Sequence, residues 1–192
     1  MKDGTKQPRR KRGIVLELGA GVGTLGLLTA ALGLRTIVTE KKECINALER
    51  SIRANKFDSE RIVAMPLNWC EKLDTDKTVA ILKKRNELKR VVIVLTDCTY
   101  WDTLFVPLSR TIQQILQAVR DEGGQGVALC GYERRRWKIE KRFFTKRLRQ
   151  HNLEADVIHE CLRVGEETNC THEHSGGWNQ RIYEIRLRKE ED

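Results

Sequence analysis

The residues best suited to chemistry sit at the end of the first apolar run. Glu17 lies in IVLEL (14–18), and Gly19, Ala20, Gly21, Gly23 and Gly26 follow at once. Glycines placed after a strand let the backbone turn tightly and approach a ligand. Gly21 to Gly26 matches G-x-G-x-x-G, a dinucleotide fingerprint that by itself does not choose between ligands. Glu17 does choose. A carboxylate at the strand end repels a pyrophosphate and attracts an ammonium group, directly or through water. Glu40 ends a second run, RTIVT (35–39), where an acid takes the hydroxyls of a ribose. A nucleoside that carries an ammonium group and no pyrophosphate satisfies both acids, and S-adenosylmethionine is such a molecule. The plain alternative is a glycine turn that only packs closely.

Three more candidates follow later runs. Asp97 and Tyr100 come at and after the end of RVVIVLTD (90–97), and Glu133 comes after GVALCGY (126–132). In an open parallel sheet, ligands bind beyond the carboxyl ends of the strands. Each residue also has a plain reading. Asp97 is a candidate cap for a helix beginning near Asp102, and Tyr100 is a candidate core residue. Glu133 has Arg134, Arg135 and Arg136 beside it as ion-pair partners.

These residues need elements to hold them. Strands are expected at 14–18, 35–39, 62–65, 90–97 and 126–132, then late alternating strands at 155–162 and 181–187. Helices are expected at 24–32, 41–55, 104–119 and 138–151, with Leu108, Ile112, Ile115, Leu116 and Val119 on one stripe of the third. Residues 70–90 are polar and lysine-rich and read as a loop with room for one helix. Strands alternating with helices predict a doubly wound, mostly parallel α/β sheet of Rossmann-like type. The last two strands have only a polar loop (165–180) between them, so they should pair antiparallel.

The chain has 192 residues and a formal net charge of +9, with 33% charged residues. This length fits one domain, expected over 13–190 after a basic, disordered arm at 1–12 that contains PRRKR. No apolar run is long enough for a membrane span, and the arm lacks the apolar segment of a signal peptide. The cytoplasm is the expected location, with the nucleus as a second compartment. The six cysteines are scattered and form no C-x-x-C pair. Cys161, Cys170, His172 and His174 lie near one another, but C-x-H-x-H is not a strong zinc spacing, and no metal is expected. Basic charge suits nucleic acid or an acidic protein surface; a solvated helix face is the bland reading.

With the strand, the glycine loop and its acids in place, the sequence resembles the class I methyltransferases. More narrowly, it resembles the seven-β-strand protein-lysine methyltransferases. Three stretches carry the narrower likeness. PLNW (66–69) resembles the segment after the third strand. TDCTYWDTLFVPLSRTI (96–112) resembles the D-x-x-Y motif and its helix. GYERRRWKIEKRFF (131–144) resembles the strand-five segment with its Y-E pair. The late antiparallel pair resembles the end of the seven-stranded methyltransferase sheet. The likeness runs from about residue 13 to 188.

The resemblance implies S-adenosyl-L-methionine as cofactor, held by Glu17, Gly19, Ala20, Gly21, Gly23, Glu40, Asn68, Trp69 and Asp97. Trp69 would flank the adenine and Asn68 would hydrogen-bond it. It implies a lysine acceptor on a protein, with Asp97 orienting the amine, Tyr100 forming a channel wall and Glu133 drawing in the cation. A protein substrate follows, with an AAA ATPase or a chaperone-like protein as a candidate. The likeness departs at the front, where family members carry a Trp-bearing stretch and only a short basic arm precedes Ile14. Two rival functions stay open: a binding module without turnover, and a nucleic-acid methyltransferase. The latter carries N/D-P-P-Y/F/W after the fourth strand, whereas DCTY (97–100) has no proline.

Overall fold

In a computed structural model, the described residues are 13–162 and 178–189. The basic arm lies outside them, as do Cys170, His172 and His174. Seven strands form one sheet in the order β3-β2-β1-β4-β5-β7-β6. They are β1 (Ile14–Leu18), β2 (Arg35–Glu40), β3 (Ile62–Pro66), β4 (Arg90–Thr96), β5 (Gln125–Glu133), β6 (Leu153–Leu162) and β7 (Trp178–Leu187). The first five run parallel. β7 inserts antiparallel between β5 and β6, so the late pair is antiparallel as expected.

Helices cover both faces: α1 (Thr24–Ala31), α2 (Ile45–Ala54), α3 (Lys72–Lys84), α4 (Phe105–Asp121), α5 (Trp137–Arg142) and α6 (Leu148–Gln150). The central strands are buried on both sides. In β1 Val15, Leu16, Glu17 and Leu18 are all buried, and in β4 Ile93, Val94 and Leu95, so residues pointing to opposite faces are covered alike and the runs are not alternating. The α4 stripe of Leu108, Ile112, Ile115, Leu116 and Val119 packs into the same core.

Several boundaries differ from the sequence expectations. α3 is a full helix inside the polar 70–90 stretch. Its fully buried residues are Thr75, Thr78 and Leu82, so the apolar period was masked by two threonines. One of them hydrogen-bonds across to α4, Thr75 Oγ1 to Thr111 Oγ1 at 3.3 Å. The basic helix at 138–151 is broken by a π turn at Phe143–Arg147, where the adjacent Phe143 and Phe144 are both buried. β7 begins at Trp178, so the loop expected to reach residue 180 is shorter at that end.

The order β2-β1-β4 makes β1 the switch point. From β1 the chain crosses to β2 on one side, and β4 lies on the other. Residues beyond the carboxyl ends of β1, β2, β4 and β5 therefore share one edge of the sheet.

Candidate active site

The glycine loop is built by close packing and by positive φ. Ala20 N–H donates to Thr39 O at 3.0 Å, and Gly23 N–H donates to Ala20 O at 2.7 Å, which folds the turn over the end of β1. Gly21 has φ +55°, and a Cβ there would meet nothing within 4 Å. This position is thus an open, left-handed edge of the loop, suited to a ligand lying against the backbone. Gly26 has the opposite character. A Cβ on it would lie 2.1 Å from Val38 Cγ1 and 2.6 Å from Glu17 Oε2, so only glycine lets α1 sit this close to the sheet.

Glu17 is 2% exposed and accepts the Gly26 N–H at 2.9 Å. Its carboxylate lies beneath the turn, in the first turn of α1, where a negative charge complements the helix dipole. Burial pushes its pKa up to about 7; the Gly26 hydrogen bond opposes this and the nearby Glu40 charge adds to it. Glu40 is half-buried at the end of β2. It accepts Gly21 N–H at 3.1 Å and Lys41 N–H at 2.8 Å. It is thereby fixed against the loop, and its carboxylate keeps further lone pairs for a ligand hydroxyl.

The adenine-side candidates follow β3. Trp69 is partly buried against the core, and its indole edge lies 2.9 Å from where a Gly19 Cβ would stand. Asn68 serves its own turn: its Oδ1 accepts Cys70 N–H at 3.1 Å, and its N–H donates to Asp74 Oδ2 at 3.2 Å.

Asp97 lies one residue past β4 with φ +56° and donates its N–H to Gly131 O at 3.2 Å. A non-glycine residue in this conformation is uncommon, though Asp is among those that tolerate it. The backbone thus leaves the strand at Asp97, and its side chain is 54% exposed. The helical turn at Asp102–Leu104 and α4 have no side-chain cap, so Asp97 does not cap them. Tyr100 is 38% exposed and packs its ring against the exposed Trp101, centroids 5.8 Å apart. Glu133 is exposed at the end of β5. By strand order, Asp97 lies two strands from Glu40, about 10 Å at the usual spacing.

At this edge Cys98 was not singled out by sequence, and Arg135 and Arg136 were read only as partners for Glu133. Cys98 is 5% exposed, and its thiol donates to Leu18 O at 3.4 Å and to Thr96 O at 3.2 Å. It tucks between β1 and β4, with Sγ 2.9 Å from the Gly19 Cβ position. Its pKa is pushed up to about 12, first by burial and then by the charges of Glu40, Asp97 and Glu17. Cys98 thus lies between the ends of β1 and β4, at the same sheet edge as Glu40 and Asp97, with Glu17 beneath the turn. Arg135 donates to Asp97 Oδ2 at 2.8 Å, and Arg136 donates to the Tyr100 carbonyl at 2.8 Å. The arginine run was legible, but its target was not: Arg135 pairs with Asp97, across the β4–β5 gap.

Glu17, expected to face the ligand, is instead buried beneath the turn on the Gly26 N–H. A sheet edge that carries the Glu40 and Asp97 carboxylates beside an open glycine loop fits a cationic nucleoside better than a pyrophosphate. S-adenosyl-L-methionine has a sulfonium, an ammonium and a ribose to match it. Gly19, Gly21, Gly23 and Ala20 would bring backbone to it, Glu40 would take the ribose, and Trp69 would lie beside the base. Among the described residues, no cluster of His, Cys, Asp and Glu could hold a metal ion.

Comparison with known proteins agrees with this geometry. Residues 1–150 match the sequence profile of the family described as lysine methyltransferase. The chain is 31% identical over 152 residues to protein-lysine N-methyltransferase EFM6 of Saccharomyces cerevisiae, covering 75% of this chain and 57% of that protein. It is 31% identical over 120 residues to calmodulin-lysine N-methyltransferase of Arabidopsis thaliana, covering 58% of this chain and 36% of that protein. The chain thus spans little more than half of the first relative and about a third of the second. Among solved structures, the METTL16 methyltransferase domain superposes with a TM-score of 0.58 at 13% identity, covering 96% of this chain and 63% of that chain. That likeness concerns the fold, the class I methyltransferase sheet. From the profile match and the crevice together, the chain belongs to the lysine methyltransferase family, and its cofactor is S-adenosyl-L-methionine.

Proposed function

We propose that this protein transfers a methyl group from S-adenosylmethionine to the amine of a lysine side chain in a protein substrate. The observation that carries this reading is the exposed Asp97 carboxylate, turned out of β4 by a left-handed backbone, on the far side of the glycine loop from Glu40. Family membership supplies the reaction class. When bound, the cofactor supplies an electrophilic methyl group. The chain's own part is positioning and charge.

Asp97 attracts and orients the lysine amine. Tyr100, with Trp101 against it, forms an apolar wall that strips water from the ammonium. A free lysine has a pKa near 10.4, so losing its proton at pH 7 costs roughly 4 to 5 kcal/mol, and desolvation lowers that. Glu133 adds negative charge at the mouth. Glu40 and the loop hold the nucleoside, with Asn68 and Trp69 at the base.

Within that family the sequence also resembles the member that methylates valosin-containing protein. On that basis an AAA ATPase or chaperone-like protein is the proposed partner, and the cytoplasm, with the nucleus second, the proposed location. The test is incubation with labelled S-adenosylmethionine and a protein lysate, followed by mass spectrometry of the labelled band. Label on a lysine supports the reading. Label on RNA would replace it with nucleic-acid methylation, and cofactor binding without transfer would replace it with a binding module.

A further inference from the structure

Arg135 stands where an incoming lysine has to go. Its guanidinium holds Asp97 Oδ2 at 2.8 Å, with the two side chains 48% and 54% exposed. Its backbone is anchored: the Arg135 N–H donates at 3.2 Å to Glu140 Oε2, which also accepts the Tyr132 hydroxyl. Glu140 is 1% exposed, so this anchor is part of the core. A fixed backbone thus carries a solvated, movable guanidinium. An ion pair this exposed is weakly held and exchanges partners readily.

A lysine ammonium brought to Asp97 meets a second cation on the same carboxylate. Oδ1 is open to the ammonium, but one negative charge then serves two cations, so the guanidinium is left with a shared anion or with none. The next residue offers no relief, because Arg136 is itself a cation, held on a neutral carbonyl of Tyr100. We infer that Arg135 is a specificity-determining residue that selects lysines with an aspartate or glutamate beside them in the acceptor protein. The lysine takes Asp97, and the neighbouring carboxylate of the acceptor takes the guanidinium that Asp97 releases. The charge count at the mouth is conserved, and no ion is left without a partner.

This inference rests on the methyltransferase reading above. It has one internal competitor. Glu133 is two residues from Arg135, and its charge already favours the Arg135 cation. If Glu133 collected the released guanidinium, the acceptor's own charges would not matter.

The test uses the full chain with S-adenosylhomocysteine and fluorescein-labelled peptides at low ionic strength. The peptides carry a single lysine flanked by glutamate, by glutamine or by arginine, and binding is read by anisotropy. The glutamate peptide should bind roughly fivefold tighter than the glutamine peptide, the scale of an exposed ion pair. Arg135→Gln should remove that difference, and Arg135→Glu should turn the preference toward the arginine peptide. Both variants should keep the wild-type affinity for S-adenosylhomocysteine, which shows that they are folded. Equal binding of the glutamate and glutamine peptides, discrimination that survives Arg135→Gln, or no binding of the glutamate peptide at millimolar concentration would each overturn the inference. Failure of the underlying reading looks different: the protein would not bind S-adenosylhomocysteine, or would label no lysine in peptide or lysate.

Discussion

Two carboxylates at the site answer to different tests. Asp97 is exposed and paired only with an exposed arginine, whereas Glu17 is buried under the glycine turn. Asp97→Ala should leave S-adenosylhomocysteine affinity within a factor of a few by calorimetry. It should lower turnover about 10²-fold or more, since a misplaced nucleophile can lose that much. Asp97→Asn keeps the shape and should fail similarly; near-normal activity would remove the carboxylate from the mechanism. Glu17 makes a prediction in pH. Its folded pKa, about 7, lies above the ordinary glutamate value of 4.5, so the folded state binds more protons between them. Stability should therefore fall as pH rises through that window, the reverse of the usual carboxylate case. Glu17→Gln keeps an acceptor for Gly26 N–H and should flatten the dependence. Its gain above pH 7 should be about 3 kcal/mol or less, read by urea denaturation at pH 5 and pH 8. A wild-type stability that rises over this range would mean that Glu17 ionises freely.

At the scale of elements, the loop and α1 depend on contact more than on hydrogen bonds. α1 has no side-chain cap and no acidic residue in its first turn; the Glu17 carboxylate from β1 meets its Gly26 N–H instead. α1 can use that distant acid only because Gly26 brings it against β1 and β2. Gly26→Ala should therefore destabilise the fold by about 1–3 kcal/mol, the usual range for overpacking. It should also weaken S-adenosylhomocysteine binding, because the loop moves with the helix. In a helix that could shift freely, alanine would instead stabilise by its better propensity. The midpoint of a urea transition decides between the two signs.

The whole molecule brings the glycine loop and the Glu40 and Asp97 carboxylates to one edge at the switch point of a seven-stranded sheet. This predicts the sign of ligand that the folded state prefers. S-adenosylhomocysteine at 100 times its dissociation constant should raise the unfolding free energy by about 2.7 kcal/mol through linkage, visible as a higher melting temperature. NAD at the same concentration should leave the transition unchanged, because its pyrophosphate meets the Glu40 carboxylate at the glycine loop. Stabilisation by NAD with none by S-adenosylhomocysteine would overturn the cofactor assignment. The overall charge of +9 does not alter this expectation, since the field in the crevice is set by its own carboxylates.

The sequence by itself determined the succession of strands and helices and which side chains stand at the strand ends. Short continuous apolar runs such as IVLEL and RVVIVLT, bounded by turn residues and rich in Val and Ile, read as strands buried on both faces, and acids placed just beyond them fall on one edge of a parallel sheet. Glu40 and Asp97 were legible for that reason, and the late antiparallel pair for its short connection. What only the tertiary structure decided depends on contacts between distant residues. Whether Glu17 faces a ligand or the Gly26 N–H is fixed by how closely α1 approaches the sheet. α3 was hidden because its inward face uses threonines that are satisfied by hydrogen bonds after packing, and no apolar period announces that. Cys98 gained its place from β1 and Trp69, and Arg135 found Asp97 across 38 residues of chain. Local sequence fixes backbone period and charge, but the partner of a flexible arginine is set by which strand the fold brings alongside.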